Sequence, residues 1–268
     1  MLVPVVERRS DSVTNIRDAP CPFAWVGLAT SDPRRATVFY AELFGWRTSD
    51  IATRAIGTVT ILSAGREDVA ILYAQTAPAR AARVAPHWTA FIGVRDADAT
   101  VSDARRHGAT ILRQPFRVLD YGRVATLADP TGSILSLWQP LARTGATRTN
   151  AVNAHCWTEL STSDLTRARS FYGAVFGWSY RDESPEHTRV VDVAGPGISM
   201  RIRHERRASL EGWLPYFMVE NPSAVAAKAQ RLGGEHLGDA SVGDSALIAD
   251  PTGARFAVLS EASSVLAG

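Results

Sequence analysis

The chain has 268 residues, of which 46% are hydrophobic and 21% are charged. This composition is ordinary for a globular protein and excludes wholesale disorder. The 29 basic and 27 acidic side chains give a formal charge of +2 without a long basic run, so we predict no nucleic-acid partner. No window approaches the roughly 20 apolar residues of a membrane-spanning helix, and the charged amino terminus lacks a secretory pattern. We therefore expect no membrane partner and a cytoplasmic location.

The first of two similar stretches begins with FAWVGLAT, a strand-like run with a period of two. Asp32 and Pro33 then begin an amphipathic helix that ends at Gly45. The strand-like runs TVTILSA and VAILYAQ complete a βαβββ module. The pattern restarts with HWTAFIGV, a helix over 98–107, and two strands on either side of a tight Asp-Pro-Thr-Gly turn.

The same elements appear a second time. ATVFYAELFGW at 36–46 recurs as ARSFYGAVFGW at 168–178, 132 residues later, and ADPTG at 128–132 recurs 121 residues later. The second repeat has the same elements in the same order. They are the strand HCWTELST, a helix from Asp164 to Gly177, the strands TRVVDVA and GISMRIR, the strand WLPYFMVE, a helix over 223–232, and the strands SALIA and RFAVLS. Self-similarity of this kind indicates a duplicated architecture.

The sequence therefore predicts an α+β fold, with four βαβββ modules that form two curled mixed sheets. The modules lie near residues 22–75, 86–140, 153–205 and 212–260. We expect a flexible amino-terminal arm over 1–20, a first domain over 21–141, a polar linker over 142–152 and a second domain over 153–262. The duplicated aromatic residues of the helices and their ends, Tyr40, Trp46, Tyr172 and Trp178, are predicted to pack in the core.

Four such modules, with the FY-x-x-x-FGW helix and the DPTG turn in duplicate, resemble the vicinal oxygen chelate superfamily. This superfamily includes glyoxalase I, extradiol dioxygenases and the bleomycin resistance proteins. The resemblance covers about residues 22–260 and implies tandem glyoxalase-like domains. It does not determine the activity, because the superfamily includes several chemistries as well as pure binding.

The resemblance also implies where a divalent metal would lie, in the cup of each curled sheet. Its ligands come from the first strand of each module and from the last strand. Carried over by spacing, these positions are Trp25, Thr89 and Ser136 in the first repeat and Trp157, Leu214 and Ala257 in the second. None of them is His, Asp or Glu, and a hydroxyl alone is a poor donor for a transition metal. We therefore predict no metal, and the absence of nucleotide-binding motifs predicts no other cofactor.

By the same resemblance, one face of each central strand looks into a cup. Residues 155, 157 and 159 share a face by the strand period of two, so we expect His155, Trp157 and Glu159 in the second cup. The predicted ligand-binding residues of the two cups are Trp25, Thr89, Phe91, Ser136, Trp138, Trp157, Leu214, Tyr216, Met218, Arg255 and Ala257. Trp25 and Trp157 either stack on a flat ligand or fill a cavity that binds nothing.

Glu159 and His155 are the candidate catalytic residues, and the second cup is therefore the predicted working site. Burial in an apolar cup would raise the pKa of Glu159 and suit it to transfer protons; the alternative is an ion pair with a neighbour such as Arg255. For His155, as for His87, the alternative is an exposed position at the start of a strand. The two thiols, Cys21 and Cys156, lack activating surroundings, and Cys156 is expected to face away from the cup.

Three functions remain open at this point. The first is a metal-independent biosynthetic enzyme that transfers protons in the cyclisation, elimination or ring opening of a flat aromatic or polyketide-like metabolite. The second is a non-catalytic drug- or metabolite-binding protein, as in self-resistance. The third, a metal-dependent lyase or dioxygenase, requires stoichiometric metal. In each case we expect a small-molecule ligand, and a monomer or weak homodimer, because four modules in one chain complete both cups.

Overall fold

The computed structural model describes residues 23–184, 187–190, 199–205 and 211–263. The predicted arm over 1–20, Cys21 and part of the predicted runs TRVVDVA and GISMRIR lie outside these residues. The strands are β1 (Phe23–Thr30), β2 (Arg47–Thr53), β3 (Gly57–Ala64), β4 (Glu67–Ala74), β5 (His87–Gly93), β6 (Thr110–Val118), β7 (Gly122–Ala128), β8 (Ile134–Pro140), β9 (His155–Thr162), β10 (Tyr180–Ser184), β11 (His187–Val190), β12 (Ser199–His204), β13 (Gly212–Val219), β14 (Glu235–Gly238), β15 (Ser245–Ala249) and β16 (Arg255–Ser260). The helices are α1 (Pro33–Phe44), α2 (Ala77–Ala81), α3 (Ala97–Arg106), α4 (Leu165–Phe176) and α5 (Pro222–Arg231).

Each repeat forms its own eight-stranded sheet. The strand orders are β2-β3-β4-β1-β5-β8-β7-β6 and β10-β11-β12-β9-β13-β16-β15-β14. In the first sheet the central strands β1 and β5 are antiparallel, and each is parallel to the last strand of its own module. The second sheet repeats this arrangement. The predicted α+β fold with two curled mixed sheets is confirmed, and the modules pair within each repeat.

The duplicated helices begin and end as the sequence predicts. The side chain of Asp32 accepts a hydrogen bond from the Arg35 amide at 3.0 Å, and Asp164 does the same for Arg167 at 2.9 Å. Gly45 and Gly177 follow the last helical residues with φ of 71° and 70°, a left-handed conformation that glycine adopts without a steric penalty. Three elements of the first repeat were not predicted: β2 is a largely exposed edge strand, α2 is a short turn of helix, and β6, TILRQPFRV, is the other edge strand.

The helices pack between the two sheets, where the repeats share their core. One cluster joins α1 and the first module to α5 and the last module. The other joins α3 and the second module to α4 and the third. Tyr40, Trp46, Tyr172 and Trp178 are all buried in these clusters, which confirms their predicted role. The concave faces of both sheets consequently point away from this core, and they form the two cups.

No helix in the described part of the chain is long and apolar enough to cross a membrane.

Candidate functional site in the cup of the first repeat

A β-bulge near the start of each central strand determines which side chains enter the cups. The pairing of β1 with β5 shifts between Phe23 and Trp25, and the pairing of β9 with β13 shifts between His155 and Trp157. One extra residue in a strand reverses the alternation of its side chains. His155 and Trp157 therefore face opposite sides of the second sheet, and the prediction that 155, 157 and 159 share one face is wrong for His155.

His155 belongs to the core between the sheets. It is 2% exposed, and its ring centroid lies 6.4 Å from that of Phe23 and 6.3 Å from that of Phe217. Its Nε2 lies 2.7 Å from the hydroxyl of Thr158. Burial lowers the pKa of His155 to about 4, because the charged imidazolium is poorly solvated there. Neither the predicted catalytic role nor exposure at the strand start agrees with this position.

Glu159 does face the second cup, but both of its oxygens are engaged by the protein. It is 1% exposed. Arg203 Nε donates to Oε1 at 3.0 Å, and the Ser241 hydroxyl donates to Oε2. Arg203 also contacts Glu205 at 3.0 Å. The ion-pair alternative therefore describes Glu159, with Arg203 rather than Arg255 as the partner, and the arrangement does not suit a residue that must exchange protons with a ligand.

The remaining predicted residues of the second cup pack against their own chain. Trp157, Tyr216, Met218 and Ala257 form a cluster with Val242, which comes from the loop over 239–244, and Leu214 packs beside it. The Tyr216 hydroxyl lies 3.1 Å from that of Ser241 in the same loop. Arg255 is half-buried, close to the charges of Glu205 and Arg203. Protein side chains thus occupy the second cup as far as the described residues define it.

Cys156 packs in the same cluster as Trp157. The expectation that it faces away from the cup is therefore wrong, because the bulge places two consecutive side chains on one side of the strand. Burial raises the pKa of its thiol to about 12, so the thiolate required of a nucleophile is strongly disfavoured.

The first cup, in contrast, encloses a cavity of about 930 Å³. This volume is in the range of sites that bind drug-sized molecules. All five residues predicted for this cup line the cavity, namely Trp25, Thr89, Phe91, Ser136 and Trp138. Sequence reasoning missed the contributions of the outer strands and of α2, among them Ile61, Ile71, Tyr73, Phe116, Val124, Thr126, Pro78 and Arg80.

A glycine in β1 leaves room for the side chains that surround this cavity. Gly27 occupies the position in β1 that Glu159 occupies in β9. A Cβ atom on Gly27 would lie 2.6 Å from the Phe91 ring and 3.2 Å from Ile71 and Tyr73. Only glycine therefore lets these side chains lean over the central strand, while the large, paired Glu159 fills the corresponding space in the second repeat.

The cavity walls are aromatic at one end and more polar at the other. The Trp25 and Trp138 rings meet edge to face at 6.3 Å, and Trp138 Nε1 donates to the Arg143 carbonyl at 3.1 Å. The cross-strand register places Tyr73 and His87 on either side of Ala29. Burial raises the pKa of Tyr73 to about 12, so its hydroxyl stays protonated at neutral pH. Flat rings suit the aromatic end, where edge and face contacts are both available.

Two arginines lie at the rim, and each is held by the protein. Arg143 pairs with Asp68 at 2.7 Å and stacks 4.6 Å from the Tyr121 ring centroid. Arg113 of β6 lies 3.9 Å over Phe116 and donates to the Ala55 carbonyl at 2.7 Å. Since β2 and β6 are the two edges of the sheet, this bond to the turn after β2 joins the edges across the cup.

The residues at the implied metal positions do not fit a metal. Trp25, Thr89 and Ser136 converge on the first cavity, but they present an indole and two hydroxyls, and Ser136 Oγ already lies 3.1 Å from the Thr126 hydroxyl. At the same positions the second repeat has Trp157, Leu214 and Ala257, which carry no oxygen donor. Within the described ranges, no group of three or more His, Cys, Asp or Glu side chains is placed to hold a metal ion.

Comparison with known families matches both repeats. Residues 23–137 match the model of the Glyoxalase/Bleomycin resistance protein/Dioxygenase superfamily, and residues 157–259 match that of a glyoxalase-like domain. The chain belongs to this superfamily. CFP32 of Mycobacterium tuberculosis, named as a glyoxylase, is 31% identical over 245 residues, which are 89% of this chain and 94% of the relative.

Two Streptomyces proteins are also similar over most of the chain. The anthracycline biosynthesis protein DauV of Streptomyces sp. strain C5 is 29% identical, and the anthracycline biosynthesis protein DnrV of Streptomyces peucetius is 28% identical. Each alignment covers 91% of this chain and 94% of the relative.

Solved structures share the fold at low identity. The Mn(II)-bound glyoxalase from Novosphingobium aromaticivorans has a TM-score of 0.62 at 13% identity, covering 91% of this chain and 83% of that protein. The 2,3-dioxygenase LapB from Pseudomonas sp. KL28 has a TM-score of 0.60 at 12% identity, covering 90% and 92%. Likeness at this identity is a likeness of architecture.

Proposed function

We propose that this protein binds a flat, largely apolar aromatic or polyketide-like metabolite in the first cup, without a metal, as part of specialised-metabolite biosynthesis. The observation that carries the proposal is the cavity of about 930 Å³ with Trp25, Phe91 and Trp138 in its walls. Burial of a planar molecule among such rings supplies affinity through apolar area and ring contacts.

The names of the two Streptomyces relatives support the substrate class. Both are called anthracycline biosynthesis proteins, and anthracyclines contain a planar polycyclic chromophore. The volume and the aromatic walls of the cavity suit a molecule of that shape.

Binding is a better-supported function than proton transfer by the two residues that the sequence suggested. Glu159 is held by Arg203 and Ser241 in the other cup, and His155 lies on the opposite face of its sheet. A metal-dependent lyase or dioxygenase is the least supported of the three functions, since indole and hydroxyl groups stand at the implied ligand positions.

The test is equilibrium dialysis with 2-hydroxyanthraquinone, a planar three-ring probe. Ala29 is 6% exposed and forms part of the cavity floor, so Ala29→Trp should fill empty space and lower the affinity at least about ten-fold. Val38→Trp, at a position on α1 that is 62% exposed, is the matched control and should bind as the wild type does. Should Ala29→Trp unfold, Val59→Trp on the neighbouring wall replaces it. No saturable binding by the wild type, or equal affinity in all variants, would refute the proposal.

A further inference from the structure

We infer that His87 selects ligands that carry a phenolic or enolic hydroxyl, by accepting a hydrogen bond from that hydroxyl at Nε2. The inference rests on the proposed function of the first cup and assigns a chemical preference to it.

The register of β5 places the His87 side chain on the cavity side. His87, Thr89 and Phe91 alternate along β5, all three line the cavity, and side chains two residues apart share a strand face. His87 is directly opposite Ala29 of β1, whose other neighbour is Tyr73 of β4. Because Ala29 is small, the imidazole and the phenol stand on either side of a shallow depression in the floor.

A backbone contact determines which imidazole nitrogen is available. His87 Nδ1 lies 2.9 Å from the carbonyl oxygen of Ala85. A carbonyl oxygen can only accept, so Nδ1 carries the proton and donates it. In the neutral ring Nε2 is then an acceptor with a free lone pair. Burial also lowers the pKa of His87, which favours the neutral ring at pH 7.

The other polar groups of the cavity leave this acceptor without a counterpart. The donors that line the cavity are engaged elsewhere: Arg143 with Asp68, Arg113 with the Ala55 carbonyl and Arg80 with the Gln75 carbonyl. The Tyr73 hydroxyl is hydrogen-bonded to Thr89, and the hydroxyls of Thr126 and Ser136 are within hydrogen-bond distance of each other. A ligand hydroxyl that reaches His87 would complete the bond in a largely apolar site. A ligand that offers only an ether oxygen there would leave two acceptors facing each other, and a site built around one polar group rejects such an analogue strongly.

The experiment compares two probes of nearly equal shape, 2-hydroxyanthraquinone and 2-methoxyanthraquinone, by equilibrium dialysis. The wild type should prefer the hydroxyl probe by about five-fold or more, the range of one hydrogen bond. His87→Phe keeps an aromatic ring but removes the acceptor, and it should abolish the preference while it still binds the methoxy probe. His236→Phe, at an exposed histidine of β14, is the matched control and should keep the preference.

A second measurement on the wild type does not depend on the fold of a variant. In ¹⁵N NMR of histidine-labelled protein, the non-protonated nitrogen of His87 should shift when 2-hydroxyanthraquinone is added and should shift less with the methoxy probe. Equal binding of both probes by the wild type, an unchanged preference in His87→Phe, or no selective shift would overturn the inference and leave the proposed function standing. Failure of both probes to bind would refute the proposed function itself, and the inference with it.

Discussion

The Tyr40 hydroxyl of the first repeat donates to Asp250 Oδ2 of the second repeat at 3.1 Å, and Tyr172 makes the reciprocal bond to Asp129 at 2.8 Å. Both aspartates begin a DPTG turn. The other oxygen of Asp250 accepts from the amides of Thr252 and Ala254 at 2.7 and 3.1 Å. Each hairpin is therefore held by the helix of the other repeat, which explains why the tyrosine and the aspartate are duplicated together.

Loss of the Tyr40 hydroxyl should destabilise the whole chain. Tyr40→Phe leaves Asp250 Oδ2 without this donor and Trp88 Nε1, now 3.1 Å from the hydroxyl, without this acceptor. We expect a fall of about 2 kcal/mol in the free energy of unfolding, the cost of buried groups that lose their partners. Urea unfolding measures it. Tyr121→Phe, at the rim of the cup, is the control; an equal, small effect of both substitutions would contradict the role of Tyr40 between the repeats.

Removal of the Glu159 charge should affect stability and leave ligand binding unchanged. In Glu159→Gln the buried bond from Arg203 loses its charge partner, and we expect a loss of about 2 kcal/mol in urea unfolding. The affinity of the first cup for 2-hydroxyanthraquinone should not change, because Glu159 belongs to the other sheet.

An exposed ion pair provides the control for Glu159. Glu67 contacts Arg148 at 2.9 Å with its side chain 49% exposed, so Glu67→Gln should cost less than about 1 kcal/mol. If Glu159→Gln instead had wild-type stability but bound the probe more weakly, Glu159 would take part in ligand binding and this prediction would be wrong.

Acid should destabilise the protein through His155. Its pKa is lowered from 6.5 to about 4, so below pH 6.5 the unfolded chain binds a proton that the folded protein does not. Stability is therefore lost as the pH falls from 6.5 towards 4, by about 2 kcal/mol between pH 7 and pH 5. Urea unfolding at both pH values should show this component in the wild type and in His236→Gln, and should lack it in His155→Gln. Equal pH dependence of all three would refute the assignment.

The metal content of purified protein should be far below one equivalent. Trp25, Thr89 and Ser136 offer no strong donor, so elemental analysis for iron, zinc, nickel and manganese should find only traces, and a chelator should not change the Tm. A full equivalent of any of these metals, or a lower Tm after chelation, would contradict this prediction.

Part of the candidate site could be predicted because its signals are local. Trp25, Thr89, Phe91, Ser136 and Trp138 lie on β1, β5 and β8, whose positions follow from capping residues and from the DPTG turn. Tyr73 was missed although its strand β4 is visible as an apolar run, and Phe116 was missed because its strand β6, TILRQPFRV, has no such run. Which face of an outer strand points inward depends on how the sheet curls, and periodicity alone does not reveal this.

The sequence by itself determined the duplication, the four modules, the helix ends and the buried Tyr and Trp of each FGW element, because these depend on short-range capping and on a pattern that occurs twice. Only the tertiary structure showed that, within the described residues, the open cavity lies in the first cup. That location depends on a bulge that turns His155 into the core, on Gly27 where the other repeat has Glu159, and on a loop that brings Val242 against Trp157. These are contacts between residues far apart in the chain, and no local pattern contains them.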